Sequence, residues 1–300
     1  MTFRSSHPSW IAGLIAALGL STAVAAESEP APARAPPELH YQTGSIVLPN
    51  KVATLRLDSD YRYLDPRETE KLLIAWGNPP EAAKGTQGAV VPAAVDPFAE
   101  NAWVVVLSYI DDGHVDDSDA RKIDYKELMA DMKKSTGEAN DERKKAGYGT
   151  VNLIGWATEP RYDSTAHKMY WAKELDFGGG DQHTLNYDVR VLGREGVLSM
   201  NAVATVNQLP AIQQDMQSLL RLADFNAGQR YDEYNKSSDK LAAYGLGALV
   251  AGGVAAKLGL FAKAFALILA FKKILIAAVI AGGGYLTRLF KGRSKDQPSG

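Results

Sequence analysis

Apolar and polar positions alternate with a period of two through much of the chain. Leu185, Tyr187, Val189 and Val191 form one such series, and Leu198, Met200, Ala202, Ala204 and Val206 form the next, with Gly193-Arg194-Glu195-Gly196 between them. That pattern across a glycine-bounded turn predicts an antiparallel hairpin. Shorter alternations at 45–48 and 52–57, around Pro49 and Asn50, predict another. The β-branched runs 89–95 and 103–109, the stretch 151–156 and the segment 168–172 after a turn at 163–166 predict further strands. Helical spacing appears in three places. Leu72, Leu73 and Trp76 share a face behind Asp65-Pro66 and Glu68, a capping acid, a proline at the first helical position and an acid in the first turn. Ile123, Leu128, Met129 and Met132 start a long helix running to about Lys145, wholly polar from Glu138 onward. Ile212, Met216, Leu219, Leu220 and Ala223 follow Pro210 and predict a helix that closes over the sheet. The fold class expected is α+β, a curved antiparallel sheet with flanking helices.

Two segments break this pattern. Residues 1–26 carry Arg4, an apolar run from Trp10 to Leu20 and the small residues Ala23 to Ala26, which reads as a signal peptide, cleaved or retained as an anchor. A Pro/Ala linker, 27–39, follows, and 40–240 is the expected periplasmic domain. Residues 241–293 are apolar with scattered lysines and read as a membrane-anchoring transmembrane helical segment, ahead of a polar tail at 294–300. Its lipid-facing residues are expected to include Leu246, Leu260, Phe261, Phe265, Ile268, Ile274 and Ile280. As a helix, 246–270 measures about 38 Å and 274–286 about 20 Å, which favours one crossing over a helical hairpin. One crossing also leaves Lys272, Lys273, Arg288, Lys291 and Arg293 together on the cytoplasmic side. Gly245, Gly247, Gly252 and Gly253 would allow close helix approach and self-association.

Charge sharpens the division. The chain has 300 residues and a net charge of −2; residues 242–300 carry +7 and the first 26 carry +1, which leaves −10 for 27–241. An acidic body repels phosphate, so nucleic acid is excluded as a partner, whereas a basic tail suits anionic lipid headgroups. Cysteine is absent, which removes disulfides, thiolate metal sites and a cysteine nucleophile.

Candidate chemistry is sparse. Asp111, Asp112, Asp116, Asp117 and Asp119 form an acidic loop without the spacing of a helix-loop-helix calcium site, and its last residues are placed to cap the helix that follows. The histidines, His7, His40, His114, His167 and His183, show no zinc-ligand spacing and read as exposed loop residues. There is no GxSxG elbow or SxxK pair, and no catalytic, cofactor or metal residue is assigned. Trp156, Tyr162, Tyr170, Trp171 and Tyr187, with Asn186, would line a ligand groove if the central strands shared a face. Arg143, Lys144 and Lys145 on the polar half of the long helix are a candidate docking surface. The expected function is a noncatalytic envelope binding or scaffold module with the lipid bilayer and an envelope protein as partners. The alternative is a membrane-tethered periplasmic hydrolase or transferase using His114, Asp116 and His183.

Several blocks, in order, carry a resemblance: LLIAWGNPP at 72–80, VDDSDARKIDY at 115–125, EANDERKKAGY at 138–148, GWATEPRYD at 155–163, LNYDVRVLGREGVL at 185–198 and DKLAAYG at 239–245. Over roughly 40–293 the chain resembles the bacterial family of uncharacterised membrane-anchored proteins called domain of unknown function 2167. The resemblance implies an exported, inner-membrane-tethered protein of unassigned activity, with no catalytic residues to carry over. The order of a curved sheet and a closing helix also resembles the small split-sheet domains of the PsbP type.

Overall fold

The structure, a computed structural model, describes residues 36–252 apart from 77, 79, 100–101, 146–148 and 179–181. Strands β1 (Gly44–Val47) and β2 (Ala53–Leu57) form the first expected hairpin, and β8 (Thr184–Leu192) and β9 (Val197–Thr205) form the clearest one. Between them run β3 (Tyr61–Leu64), β4 (Thr86–Pro92), β5 (Val105–Ile110), β6 (Asn152–Asp163) and β7 (Lys168–Asp176). The large sheet has the order β3-β4-β5-β9-β8-β7-β6, antiparallel throughout. A short strand, β10 (Ala223–Phe225), joins the hairpin in a second sheet ordered β1-β2-β10.

Helix α1 (Pro66–Ala75) starts where the sequence predicts, with the Asp65 carboxylate accepting from the Arg67 and Glu68 amides at 2.8 and 3.0 Å. A single turn, α2 (Pro80–Ala83), follows it. The long helix α3 (Tyr125–Lys145) begins later than expected. Its cap is Asp124, which accepts from Lys126 and Glu127, while 118–122 is a run of turns. Asp117 and Asp119 are therefore not its caps. Helix α4 (Leu209–Leu222) buries Ile212, Met216 and Leu219. Ala223, expected on that helix, has extended backbone and opens β10 instead.

The main core lies between the two sheets and under α4. Leu185, Tyr187, Val189 and Val191 meet Leu198, Met200 and Ala202 there, with Leu55 and Leu57 facing them from β2. The opposite face of the large sheet carries α1 against β3 and β4, and α3 against β6.

The last described helix, α5 (Leu246–Ala251), corrects the reading of the anchor. Leu246, Leu249 and Val250 are buried in the domain with Val115, Met169, Trp171, Leu192 and Val197. Leu246 is fully buried here and is not available to lipid. The helix stops at Gly252, whose left-handed backbone (φ 72°) returns its amide to the Ala248 and Leu249 carbonyls. A continuous helix from 246 to 270 is thus broken at 252. The other expected anchor residues, Leu260, Phe261, Phe265, Ile268, Ile274 and Ile280, lie outside the described residues, as do the signal peptide and most of the linker. Among the described residues no helix is long and apolar enough to cross a membrane.

Candidate functional site

The acidic loop and the chain leading into α5 are fastened together, and His114 and His167 sit at that seam. His114 bridges Leu241 in parallel: its amide donates to the Lys240 carbonyl at 2.8 Å and its carbonyl accepts from Ala242 at 2.7 Å. Gly113 makes the close approach that this requires, with φ 104°. The loop carboxylates do the rest. Asp119 receives the Leu246 and Gly247 amides at the start of α5, at 3.1 and 3.3 Å. Asp112 accepts from the Tyr244 hydroxyl at 3.1 Å, and Asp116 turns back on the Ser118 amide at 2.9 Å. Among the described residues no group of three or more His, Asp or Glu is arranged to hold a metal ion.

Four rings stack across this seam. Tyr234 lies on His114 with centroids 3.9 Å apart, Tyr231 lies 4.3 Å from His114, and His167 follows at 4.1 Å from Tyr231, with interplanar angles of 10°, 30° and 25°. Two stacks of this spacing on one ring require that Tyr234 and Tyr231 cover opposite faces of His114. Burial pushes the His114 pKa down; backbone groups of Arg194 and Gly193 and the Asp116 and Asp117 carboxylates act against it without reversing it. Its Nδ1 is buried with no hydrogen-bond partner.

That environment gives a pH dependence with a definite sign. A histidine kept neutral in the fold takes up its proton in the unfolded chain first, so stability falls as pH drops through the ordinary histidine value of 6.5. His114→Phe keeps the stack and removes the titration. Its melting temperature is expected to fall less than that of the unaltered chain between about pH 7 and pH 5, and equal slopes would refute the assignment.

His167 closes the ladder and faces a cleft. It sits in a left-handed conformation, φ 47°, on the β6–β7 turn that Asp163 organises by accepting from Thr165 and Ala166. Its Nδ1 is 3.2 Å from the Tyr162 hydroxyl, which donates to Asp117 at 2.6 Å, and its Nε2 is 3.2 Å from Asp232. Burial, then the hydrogen bond and charge of Asp117, push the Tyr162 pKa well up, so this phenol stays protonated. The cleft beside His167 measures about 260 Å³; Val191, Leu192 and Phe225 give it apolar surface, and Lys168, Arg230 and Asp232 give it charge. Lys168 is half-buried, which lowers its pKa, and its ammonium donates to the Leu220 carbonyl at 2.8 Å.

The expected site residues disperse. Tyr170 and Tyr187 belong to the core under α4, whereas Trp156, Tyr162 and Trp171 pack on the other face of the sheet, so the five aromatics do not line one groove. Pairing explains the division: Tyr170 stands opposite Val189 while Trp171 stands opposite Asp188, and neighbours along a strand point to opposite faces. Arg143 is not a docking residue, because it is 8% exposed and its Nε and Nη2 both donate to the Gly149 carbonyl at 2.9 and 2.6 Å. Lys144 and Lys145 are exposed at the end of α3.

His183 does not meet His114. It pairs with Glu174 at 2.5 Å, a contact that raises its pKa, next to the Leu175–Thr184 end of the β7–β8 ladder. His167 adjoins the Lys168–Val191 end of the same ladder, seven residues or roughly 23 Å away. Sequence reasoning missed His167, Tyr231, Asp232 and Tyr234 as a group. The only signals were a turn ending in histidine, DSTAH, and the tyrosine pair in YDEY.

Comparison with known proteins adds a family and no activity. No curated protein matches the chain. Solved structures that match include the Ran-binding protein Mog1p of Saccharomyces cerevisiae (8% identity, 62% of this chain and 96% of that one, TM-score 0.32). A point mutant of Mog1 matches at 9% identity over the same shares, with a TM-score of 0.31. PsbP (CyanoP) of Synechocystis sp. PCC 6803 matches at 10% identity over 63% of this chain and 92% of that one, with a TM-score of 0.33. The profile of one family, Protein of unknown function (DUF2167), matches residues 40–283, and the chain belongs to that family.

Proposed function

We propose that the chain is an exported protein anchored in the bacterial inner membrane, whose domain faces the periplasm as a noncatalytic binding or scaffold module. The observation that carries this reading is the use of the acidic loop. Asp112 and Asp119 fasten Tyr244 and the start of α5, and Asp117 fastens Tyr162, so groups suited to metal or proton chemistry act as fasteners. What Asp112 and Asp119 fasten is the run leading into the apolar C-terminal stretch. The excess of basic residues at that end favours the cytoplasmic side, and the expected partners are the lipid bilayer, an envelope protein and a second copy of the chain.

In spheroplasts, added protease should remove the domain and leave a membrane-held C-terminal fragment. Digestion only after the inner membrane is lysed, or release of the chain by alkaline carbonate, would overturn the anchored periplasmic reading. A membrane-tethered hydrolase or transferase is the second reading, favoured by one observation: His167, strained and held by Tyr162 and Asp232, lies beside the cleft. Turnover of envelope material that is lost in His167→Ala, with the fold retained, would put the second reading first.

A further inference from the structure

The face of the large sheet turned away from α4 carries an ordered polar patch on its central strands. Strand pairing lays it out in three rows across β7, β8, β9 and β5. Met169, Arg190, Ser199 and Ser108 form one; Trp171, Asp188, Asn201 and Val106 the next; Lys173, Asn186 and Val203 the third. Helix α1 rests on β3 and β4, α3 on β6, and α5 covers the β7 end of the first two rows at Met169 and Trp171, so the patch is bounded by all three helices.

Polar positions of this kind on an antiparallel strand ordinarily face water. Here Asn186 and Asp188 are each 2% exposed and Ser199 is 6% exposed. Their cross-strand neighbours include Lys173, Asn201 and Arg190. Asp188 sits at the centre, with the Lys173 ammonium at 3.3 Å, the Arg190 guanidinium at 3.0 Å and the Asn201 amide donating at 2.9 Å. Burial raises its pKa, but these three neighbours outweigh burial and hold it ionised. Two cations against one carboxylate leave a positive charge in excess. Two donors on this face, Arg190 Nε and Trp171 Nε1, are buried without a partner. Burying an ion network costs several kcal/mol that its internal attraction does not reliably return, so its upkeep calls for a reason other than stability.

We propose that this patch is the floor of a binding site for a small hydroxylated monocarboxylate, a sugar acid. Serine hydroxyls and asparagine amides both donate and accept, which matches vicinal hydroxyl groups, and the surplus cation matches one carboxylate. Ser108, Asn201, Lys173 and Arg190 are only partly buried and give the approach from solvent. This deepens the binding-module reading and rests on it.

The test is titration of the detergent-solubilised full chain with D-glucuronate, with D-glucose as the uncharged control, followed by melting temperature. Glucuronate at millimolar concentration should raise it saturably, and glucose should do so at least about tenfold more weakly, the factor that one charge-assisted contact supplies. Arg190→Met should abolish the shift. Ser108→Leu, which leaves the ion network intact and fills the floor, should also abolish it and guards against misfolding of the first variant. No saturable effect of glucuronate, an equal effect of glucose, or an undiminished effect in Ser108→Leu would overturn the proposal. The two readings fail separately. Chemical conversion of glucuronate or its glycosides would refute the noncatalytic module and leave the site standing. A glucuronate-blind chain that still holds a stoichiometric partner through detergent extraction would refute the site alone.

Discussion

Alanine at Gly113 is expected to lower the melting temperature by about 6–12 °C, the shift that roughly 3 kcal/mol produces in a domain of this size. Two effects add at this position. The backbone is left-handed, φ 104°, which costs a side-chain-bearing residue about 1–2 kcal/mol. A Cβ would also stand 2.5 Å from the Lys240 carbonyl oxygen and 3.1 Å from the Ala242 amide nitrogen. Both are backbone atoms, held in the His114–Leu241 bridge, and neither can swing aside. The strain should therefore be relieved by lifting the 240–242 segment off the sheet. Limited proteolysis should cut Gly113→Ala between 231 and 245 under conditions that spare the unaltered chain. A melting temperature within about 2 °C of the original would show that the bridge yields cheaply and that the seam is not rigid.

The second large effect is expected at Asn140. Its side chain treats Val151 as a strand neighbour would, donating to the Val151 carbonyl at 2.9 Å and accepting from the Val151 amide at 2.8 Å, all within buried surroundings. Asn140→Ala leaves both backbone groups without partners, a loss of about 2–4 kcal/mol. Hydrogen exchange at the Val151 amide should accelerate by more than exchange in β8 and β9, because the break is local to the join of α3 and β6. Uniform acceleration would mean that the join and the sheet unfold as one unit. Arg143→Met acts on the same join through Gly149, so the double substitution is expected to cost less than the two single losses added together.

How far these features could be read from the sequence depends on how local their causes are. The β8–β9 hairpin and the cap of α1 were legible because period-two alternation and an Asp-Pro start act within a few residues. β10 was not, because Ala223 continues the helical spacing of α4 and becomes a strand only by pairing with Leu55, far earlier in the chain. The polar half of α3 looked like a solvated surface. Asn140 and Arg143 are buried there by contacts with Gly149 and Val151 that no periodicity encodes. The same limit hid the ring ladder, whose members come from the acidic loop, the β6–β7 turn and the stretch after β10. Membership of the aromatic set failed for a simpler reason. Tyr170 and Trp171 are adjacent on one strand, and adjacency in a strand separates side chains.

The docking of α5 has a mechanical consequence. A chain that leaves a folded body through a loose linker transmits position only, since slack absorbs rotation. Here the exit runs through the body itself: Leu246, Leu249 and Val250 are core residues, and the His114–Leu241 pairing lies just before them. Tension applied at Gly252 would have to pull those core residues out before it reached the pairing. Torque would pass into the large sheet by the same route. Rotation applied at Gly252 would therefore turn the domain with it.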